Sequence, residues 1–143
     1  MPFGWERSHS PEAGEDNGCS GAQARFNTNN WNDGSTKTVW AEFTVRSCPS
    51  AALAAKSFEE TRSGIANNNK AREISLPQLG DQRTAITHYN IDLDETTAVA
   101  LLRVGTVLVE MEYQPVPDDS AWSREFEQLA SMVATRAQQV QSA

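Results

Sequence analysis

The feature that most constrains this chain is an Asp-Gly pair midway between its two cysteines. Asp33-Gly34 is a strong signal for a two-residue hairpin turn, because both turn positions need positive φ. If the turn is centred there, residues whose numbers sum to 67 face each other across two antiparallel strands. That register sets Cys19 opposite Cys48, and opposed residues have Cβ atoms about 4.5 to 5.5 Å apart. The sequence therefore predicts a hairpin closed by a Cys19–Cys48 disulfide.

The same register divides the hairpin into an apolar face and a polar face. The apolar face pairs Phe26 with Ala41, Ala24 with Phe43 and Ala22 with Val45. The other face pairs Arg25 with Glu42, which attract each other, and it also carries Trp40 and the cysteines. Because alternate residues point to opposite faces, this separation is a test of the register within the sequence itself.

Length and charge limit the class of protein. The 143 residues suit one domain, which we expect at 19–143 behind a flexible, polar lead-in at 1–18. Phe3 and Trp5 could form a short edge strand in the lead-in. No transmembrane segment is expected, because no run reaches the roughly 20 apolar residues of a membrane span. The net charge of −7 argues against nucleic acid as a partner, since nucleic acid is bound through excess Lys and Arg.

Two helices and further strands are expected after the hairpin. Ser47 or Ser50 can cap a helix over 51–62, which is rich in good helix formers. Residues 72–114 are typical of strands, and the last two apolar runs meet at Val104-Gly105. The turn type at this junction is open, because Val disfavours positive φ. A final helix, capped by Asp118 or Asp119, follows. Its apolar stripe consists of Trp122, Phe126, Leu129, Val133, Ala137 and Val140.

These elements predict an α+β fold. We expect an antiparallel sheet of about five to six strands, covered by two helices, in the order β-β-α-β-β-β-β-α. The stripe of the last helix should cover the sheet, because a domain of this size needs that surface for its own core.

Aromatic residues supply the candidate binding sites. Trp31 lies at the predicted hairpin tip between Asn30 and Asn32, where an indole among amides could stack on a sugar or insert into a protein partner. The alternative is that the tip folds back over its own sheet. Trp40 is a second candidate, although burial under the first helix or the lead-in is the preferred interpretation.

Catalytic and metal-binding patterns are sparse. Asp92 and Asp94 match the two-aspartate pattern of a phosphoryl-transfer loop, and with Glu95 they are weak candidates for Ca²⁺. A strand-connecting acidic turn is preferred, because the paired acids that hold Mg²⁺ and the spaced ligands of an EF-hand are absent. His9 and His88 have no Ser or Cys partner at a recognisable spacing. Zinc would need more His or Cys than the chain has outside the disulfide, and no cofactor is expected.

Several short motifs carry a family resemblance. They are Pro2-Phe3-Gly4-Trp5, Leu79-Gly80-Asp81 and Leu102-Arg103-Val104-Gly105-Thr106-Val107-Leu108-Val109. With a strand that runs into Cys48 and a helix, and with a terminal amphipathic helix, the chain resembles actinobacterial cell-envelope lipoproteins. It is also similar to the extracellular sensor domains of serine/threonine kinases from those bacteria. The resemblance covers most of the chain from about Cys19 onward.

The resemblance implies export and ligand sensing, with no shared catalytic residues. Members are often tethered through a lipidated Cys after an apolar leader. Neither leader nor lipobox is present here, so a leader or a tether would have to lie upstream.

The expected function is a non-enzymatic, exported domain that binds a small molecule or a protein partner at the cell envelope. Two alternatives stay open. One is a small hydrolase-type enzyme that uses Asp92, Asp94 or His88. The other is a structural or assembly subunit that contacts partners through the Trp31 hairpin. A deep pocket lined by His88 and acids would favour the enzyme, and an exposed flat aromatic patch would favour assembly.

Overall fold

The computed structural model of the chain describes residues 5–7, 12–16, 18–28, 39–67, 71–92, 94–114, 116 and 122–142. Within these ranges the order of elements is β1 (Trp5–Arg7), β2 (Glu12–Asp16), β3 (Cys19–Thr28), β4 (Trp40–Ser47), α1 (Ala51–Ala66), β5 (Arg72–Glu73), β6 (Gln82–Asn90), β7 (Glu95–Val104), β8 (Val107–Gln114) and α2 (Trp122–Ser142). The predicted α+β class is confirmed, and the predicted order holds from β3 to α2.

All of these strands join one antiparallel sheet. Their order is β1-β3-β4-β8-β7-β6-β5, and β2 also pairs with β3. β1 and β2 follow one another along the outer edge of β3, with Trp5 opposite Thr28 and Asp16 opposite Cys19. The 1–18 segment therefore contributes two edge strands. No apolar alternation indicated β2, because an edge strand can be held by backbone hydrogen bonds alone.

The hairpin register predicted from Asp33-Gly34 is confirmed in the described part of β3 and β4. Every pair, from Ser20 opposite Ser47 to Asn27 opposite Trp40, obeys it. The predicted disulfide joins Cys19 to Cys48, whose Cα atoms are 4.3 Å apart. The turn residues themselves lie outside the described ranges.

The sheet is the middle layer of the fold, with one helix on each face. The larger core lies on the α2 side and includes Phe43, Leu102, Val109, Met111, Tyr113, Phe126 and Leu129. The smaller core lies on the α1 side and consists of Cys19, Cys48, Ala54, Phe58, Leu101 and Leu108. β7 is apolar on both faces along most of its length, as a strand buried between two layers must be. β8 is apolar on its α2 face, but its other face carries Glu110 and Glu112 after Leu108.

Helix α1 begins at a recognisable capping residue. The backbone N–H of Leu53 donates to Ser50 Oγ at 3.1 Å, so Ser50 is the N-cap of α1.

In α2, Phe126 and Leu129 of the predicted stripe are at most 1% exposed, whereas Val140 is 72% exposed. The last turn of α2 therefore presents an apolar side chain that the sheet does not cover.

The turn between β7 and β8 is Gly105-Thr106, one position beyond the predicted junction at Val104-Gly105. Gly105 takes the positive φ, +59°, so Val104 stays in the extended strand. A two-residue turn with glycine at its first position suits the twist of a β-hairpin.

Candidate functional site: a groove beside the second helix

A groove forms because α2 does not lie centrally over the sheet. α2 packs on β7 and β8, while β3 and β4 continue the same sheet to one side. The α2 groove, as we name it, runs between that side of the sheet and the flank of α2. Its lining residues are Phe26, Phe43, Val45, Ser47, Val107, Val109, Met132, Val133, Arg136, Ala137 and Val140. Its volume is about 400 Å³, which lies within the range of roughly 300 to 1,000 Å³ typical of small-molecule sites.

The sheet wall of the groove is the apolar hairpin face that the register predicts. The rings of Phe26 and Phe43 meet edge to face, with centroids 5.8 Å apart. Val45, further along β4, is 40% exposed. Side chains anchored in a paired strand have little freedom, so this wall is formed before any ligand arrives.

The helix wall is held in place by a side chain at the end of α2. The amide of Gln141 donates to the carbonyl oxygen of Val104, and Gln141 Oε1 accepts from the backbone N–H of Thr106 at 3.1 Å. A Cβ on Gly105 would lie 1.8 Å from Gln141 Oε1, so glycine gives this side chain its room. The β7–β8 turn thus holds the last turn of helix α2, which includes Val140, in place.

Arg136 is the one charged residue among those that line the α2 groove. Three and four positions away on the helix lie Met132, Val133, Gln139 and Val140, so no acidic residue is placed to pair with it there. Within the described part of the chain, Arg136 forms no salt bridge. Its guanidinium therefore has donors available for another molecule.

A shallow polar depression adjoins the α2 groove on the outer side of α2. Its lining residues are Gln128, Ser131, Met132, Thr135, Arg136 and Gln139. Met132 and Arg136 belong to both surfaces. The polar depression contains amides and hydroxyls but no carboxylate, so an apolar surface and a polar, positively charged one meet at Arg136.

The opposite face of the hairpin holds Trp40 in a network of polar contacts. Arg25 donates to Glu42 Oε2 from Nε at 2.8 Å and from Nη2 at 2.6 Å, and Gln23 donates to Glu42 Oε1 at 2.7 Å. The guanidinium carbon of Arg25 also lies 5.6 Å from the centre of the Trp40 ring, within cation–π distance. One ring face of the half-buried Trp40 is therefore already in contact with Arg25.

Glu112 lies on this polar face directly opposite Glu42 on the neighbouring strand. Burial raises the pKa of the Glu112 carboxyl, and the charges of Glu110 and Glu42 raise it further, while Arg25 acts against them. Like charges opposed across a ladder are destabilising. On the polar face, the charge of Glu42 is therefore compensated by Arg25, whereas a charged Glu112 is repelled by its acidic neighbours.

The acidic turn predicted at Asp92 and Asp94 connects β6 to β7, and both aspartates are exposed. The hydroxyl of Tyr89 donates to Asp94 Oδ1, and the backbone N–H of Asp92 donates to Asn90 Oδ1 at 3.0 Å. These contacts are local and favour the turn interpretation. Across the described residues, no group of three or more His, Cys, Asp and Glu side chains could hold a metal ion.

Of the remaining sequence candidates, those in the described part of the chain lie on β6 and β7. His88 lies in β6 opposite Thr97, and Glu95 begins β7 opposite Asn90. Asn30, Trp31 and Asn32 lie outside the described residues, so their role at the hairpin tip stays a prediction.

Sequence reasoning missed the α2 groove and Arg136. The available signal was an excess of apolar surface, because Val45 ends the hairpin's apolar face and Val140 ends the α2 stripe. Whether these two apolar ends cover each other depends on the position of α2 on the sheet. The hydrophobic periodicity of a single element does not specify that position.

No family model, curated protein or solved structure matches this chain. The resemblance to cell-envelope lipoproteins and kinase sensor domains therefore stays a prediction. Neither α1 nor α2 combines the length and the apolar character that a membrane-crossing helix needs.

Proposed function

We propose that this protein is a non-enzymatic binding domain and that the α2 groove is where it takes a ligand. The observation that carries the proposal is the apolar groove of about 400 Å³, with Val45 40% and Val140 72% exposed. Contiguous exposed apolar surface on a soluble domain marks binding sites, and an apolar pocket with few polar groups is the default candidate.

The chemistry of the groove favours binding over reaction. Its lining includes no His, Cys, Asp or Glu, and its polar side chains are Ser47 and Arg136. General acid–base catalysis needs a group that exchanges a proton near neutral pH, and arginine stays protonated. We therefore prefer a binding function to an enzyme that uses Asp92, Asp94 and His88.

We also propose that the domain works in an exported, oxidising compartment. The Cys19–Cys48 disulfide supports this, because structural disulfides persist mainly outside the reducing cytosol. The resemblance to envelope lipoproteins and sensor domains agrees with that compartment.

The experiment is a titration with the neutral apolar fluorophore N-phenyl-1-naphthylamine. Val45→Trp should fill the sheet side of the groove and weaken binding by roughly tenfold, since about 1.4 kcal/mol is the scale of one lost apolar side-chain contact. The matched control is Ile91→Trp, at a 72% exposed site in the β6–β7 turn, which should bind the probe like the wild type. No binding to the wild type, or equal binding by both variants, would count against the groove.

A further inference from the structure

We infer that the ligand of the α2 groove is a single-chain amphiphile with an anionic head, bound with its chain in the groove and its head against Arg136. This inference rests on the proposed function and adds the chemical class of the ligand.

The charge around the groove is opposite in sign to that of the whole chain. The protein carries a net charge of −7, yet neither the α2 groove nor the polar depression is lined by an Asp or Glu. The one charge that both surfaces share is the guanidinium of Arg136. A head group there meets a cation with no acidic neighbour among the lining residues, so an anion is attracted and a cation is repelled.

The two surfaces together fit a molecule with two chemically different ends. The groove side offers Phe26, Val45 and Val140 to an apolar chain. The depression side offers neutral donors and acceptors from Gln128, Ser131, Thr135 and Gln139 around the same arginine. A planar guanidinium pairs with carboxylate or phosphate oxygens through two parallel hydrogen bonds. We therefore expect the head group to lie at Arg136 and the chain to extend from there into the α2 groove.

The groove is sized for one chain. Its volume of about 400 Å³ is near the lower end of the range of roughly 300 to 1,000 Å³ for small-molecule sites. Each additional buried methylene should tighten binding by roughly fourfold, so affinity should rise with chain length until the groove is filled. A lipid with two chains would leave the second in water.

The test compares three compounds with the same dodecyl chain, each below its micellar concentration, as competitors of the neutral probe. Dodecanoate and dodecyl phosphate should bind roughly two- to fivefold more tightly than dodecyltrimethylammonium, the scale of one exposed ion pair. The preference should shrink at high salt, because exposed charges are screened. The carboxylate and phosphate compounds distinguish the two sources of an anionic head.

The decisive variant is Arg136→Gln, which should remove the preference for the anionic head over the cationic head, a ratio of affinities measured within the same variant. Arg124→Gln is the matched control, because Arg124 is an exposed arginine on α2 that lines neither surface. It should leave the preference unchanged.

The outcomes separate this inference from the proposed function. Equal binding of anionic and cationic compounds, or an unchanged preference in Arg136→Gln, would overturn the inference while probe binding still supported a groove ligand. Failure of the probe itself to bind the wild type would overturn both. A dimer in sedimentation velocity that Val45→Trp dissociates would also overturn the inference, because a second copy would then occupy the groove.

Discussion

The two faces of the β3–β4 hairpin show opposite outcomes for side chains on the same strands. On the α1 side, Arg25 and Gln23 meet Glu42 within hydrogen-bond distance, and the ring of Trp40 is in contact with Arg25. On the α2 side, Ala41 and Phe43 are buried in the core, whereas Val45, at the end of the same row, is 40% exposed and borders the α2 groove. The polar face satisfies most of its groups internally, whereas the apolar face leaves surface that water solvates poorly. The comparison therefore places the candidate site on the apolar face.

The largest expected effect concerns the disulfide that ends the α1-side face. Reduction should lower the free energy of unfolding by about 3.5 kcal/mol, the chain-entropy value for the closed loop, whose ends are 29 positions apart. Denaturant titration with and without reductant measures it. A Cys19→Ser/Cys48→Ser variant is the control, because reductant should not change its stability. Equal stability of the oxidised and reduced wild type would contradict a structural role.

A middle-sized effect is expected at the turn that holds the end of α2. Gly105→Ala should cost about 1 to 2 kcal/mol, because a left-handed conformation is strained for alanine and φ is +59° here. It should also weaken binding of the neutral probe, since the new Cβ collides with Gln141. Thermal unfolding and the probe titration measure the two effects.

The matched control for the turn is Gly64→Ala in α1, where a Cβ meets nothing within 4 Å. This change should stabilise the protein by about 0.4 to 1 kcal/mol through the unfolded state and leave probe binding unchanged. If Gly105→Ala behaved like Gly64→Ala, the role assigned to the turn would be wrong.

The smallest expected effect concerns the charge repulsion at Glu112 on the polar face. The raised pKa of Glu112 means that the folded protein binds this proton more tightly than the unfolded chain, where the ordinary value is 4.5. Stability contributed by this group is therefore lost as pH rises from that value through the folded pKa. Glu112→Gln should stabilise the protein at pH 7 by a few tenths to about 1 kcal/mol, and the gain should fade as the pH is lowered through the same window.

The matched control for that prediction is Glu127→Gln, at an exposed site on α2. Chemical unfolding of both variants at several pH values should show the effect in Glu112→Gln alone. If the stability gain of Glu112→Gln instead grew as the pH was lowered, the predicted direction of the pH dependence would be wrong.

The hairpin and the order of elements were accessible from the sequence because each depends on a local rule. The register predicted from Asp33-Gly34 holds for the described pairs of β3 and β4, and Ser50, one of two predicted caps, is where α1 begins. The edge strand β2 was not accessible, because its pairing needs no side-chain pattern. The α2 groove was missed because Val45 and Val140 are far apart in sequence, and only the position of α2 over β7 and β8 leaves both exposed.

The most direct test of the central claim is methyl NMR of the folded protein during titration with the neutral probe. The account predicts shifts in the methyl signals of Val45, Met132 and Val140, which line the α2 groove, while those of Leu101 and Leu53 near α1 stay in place. Shifts confined to the α1 side, or none at saturating probe, would contradict it.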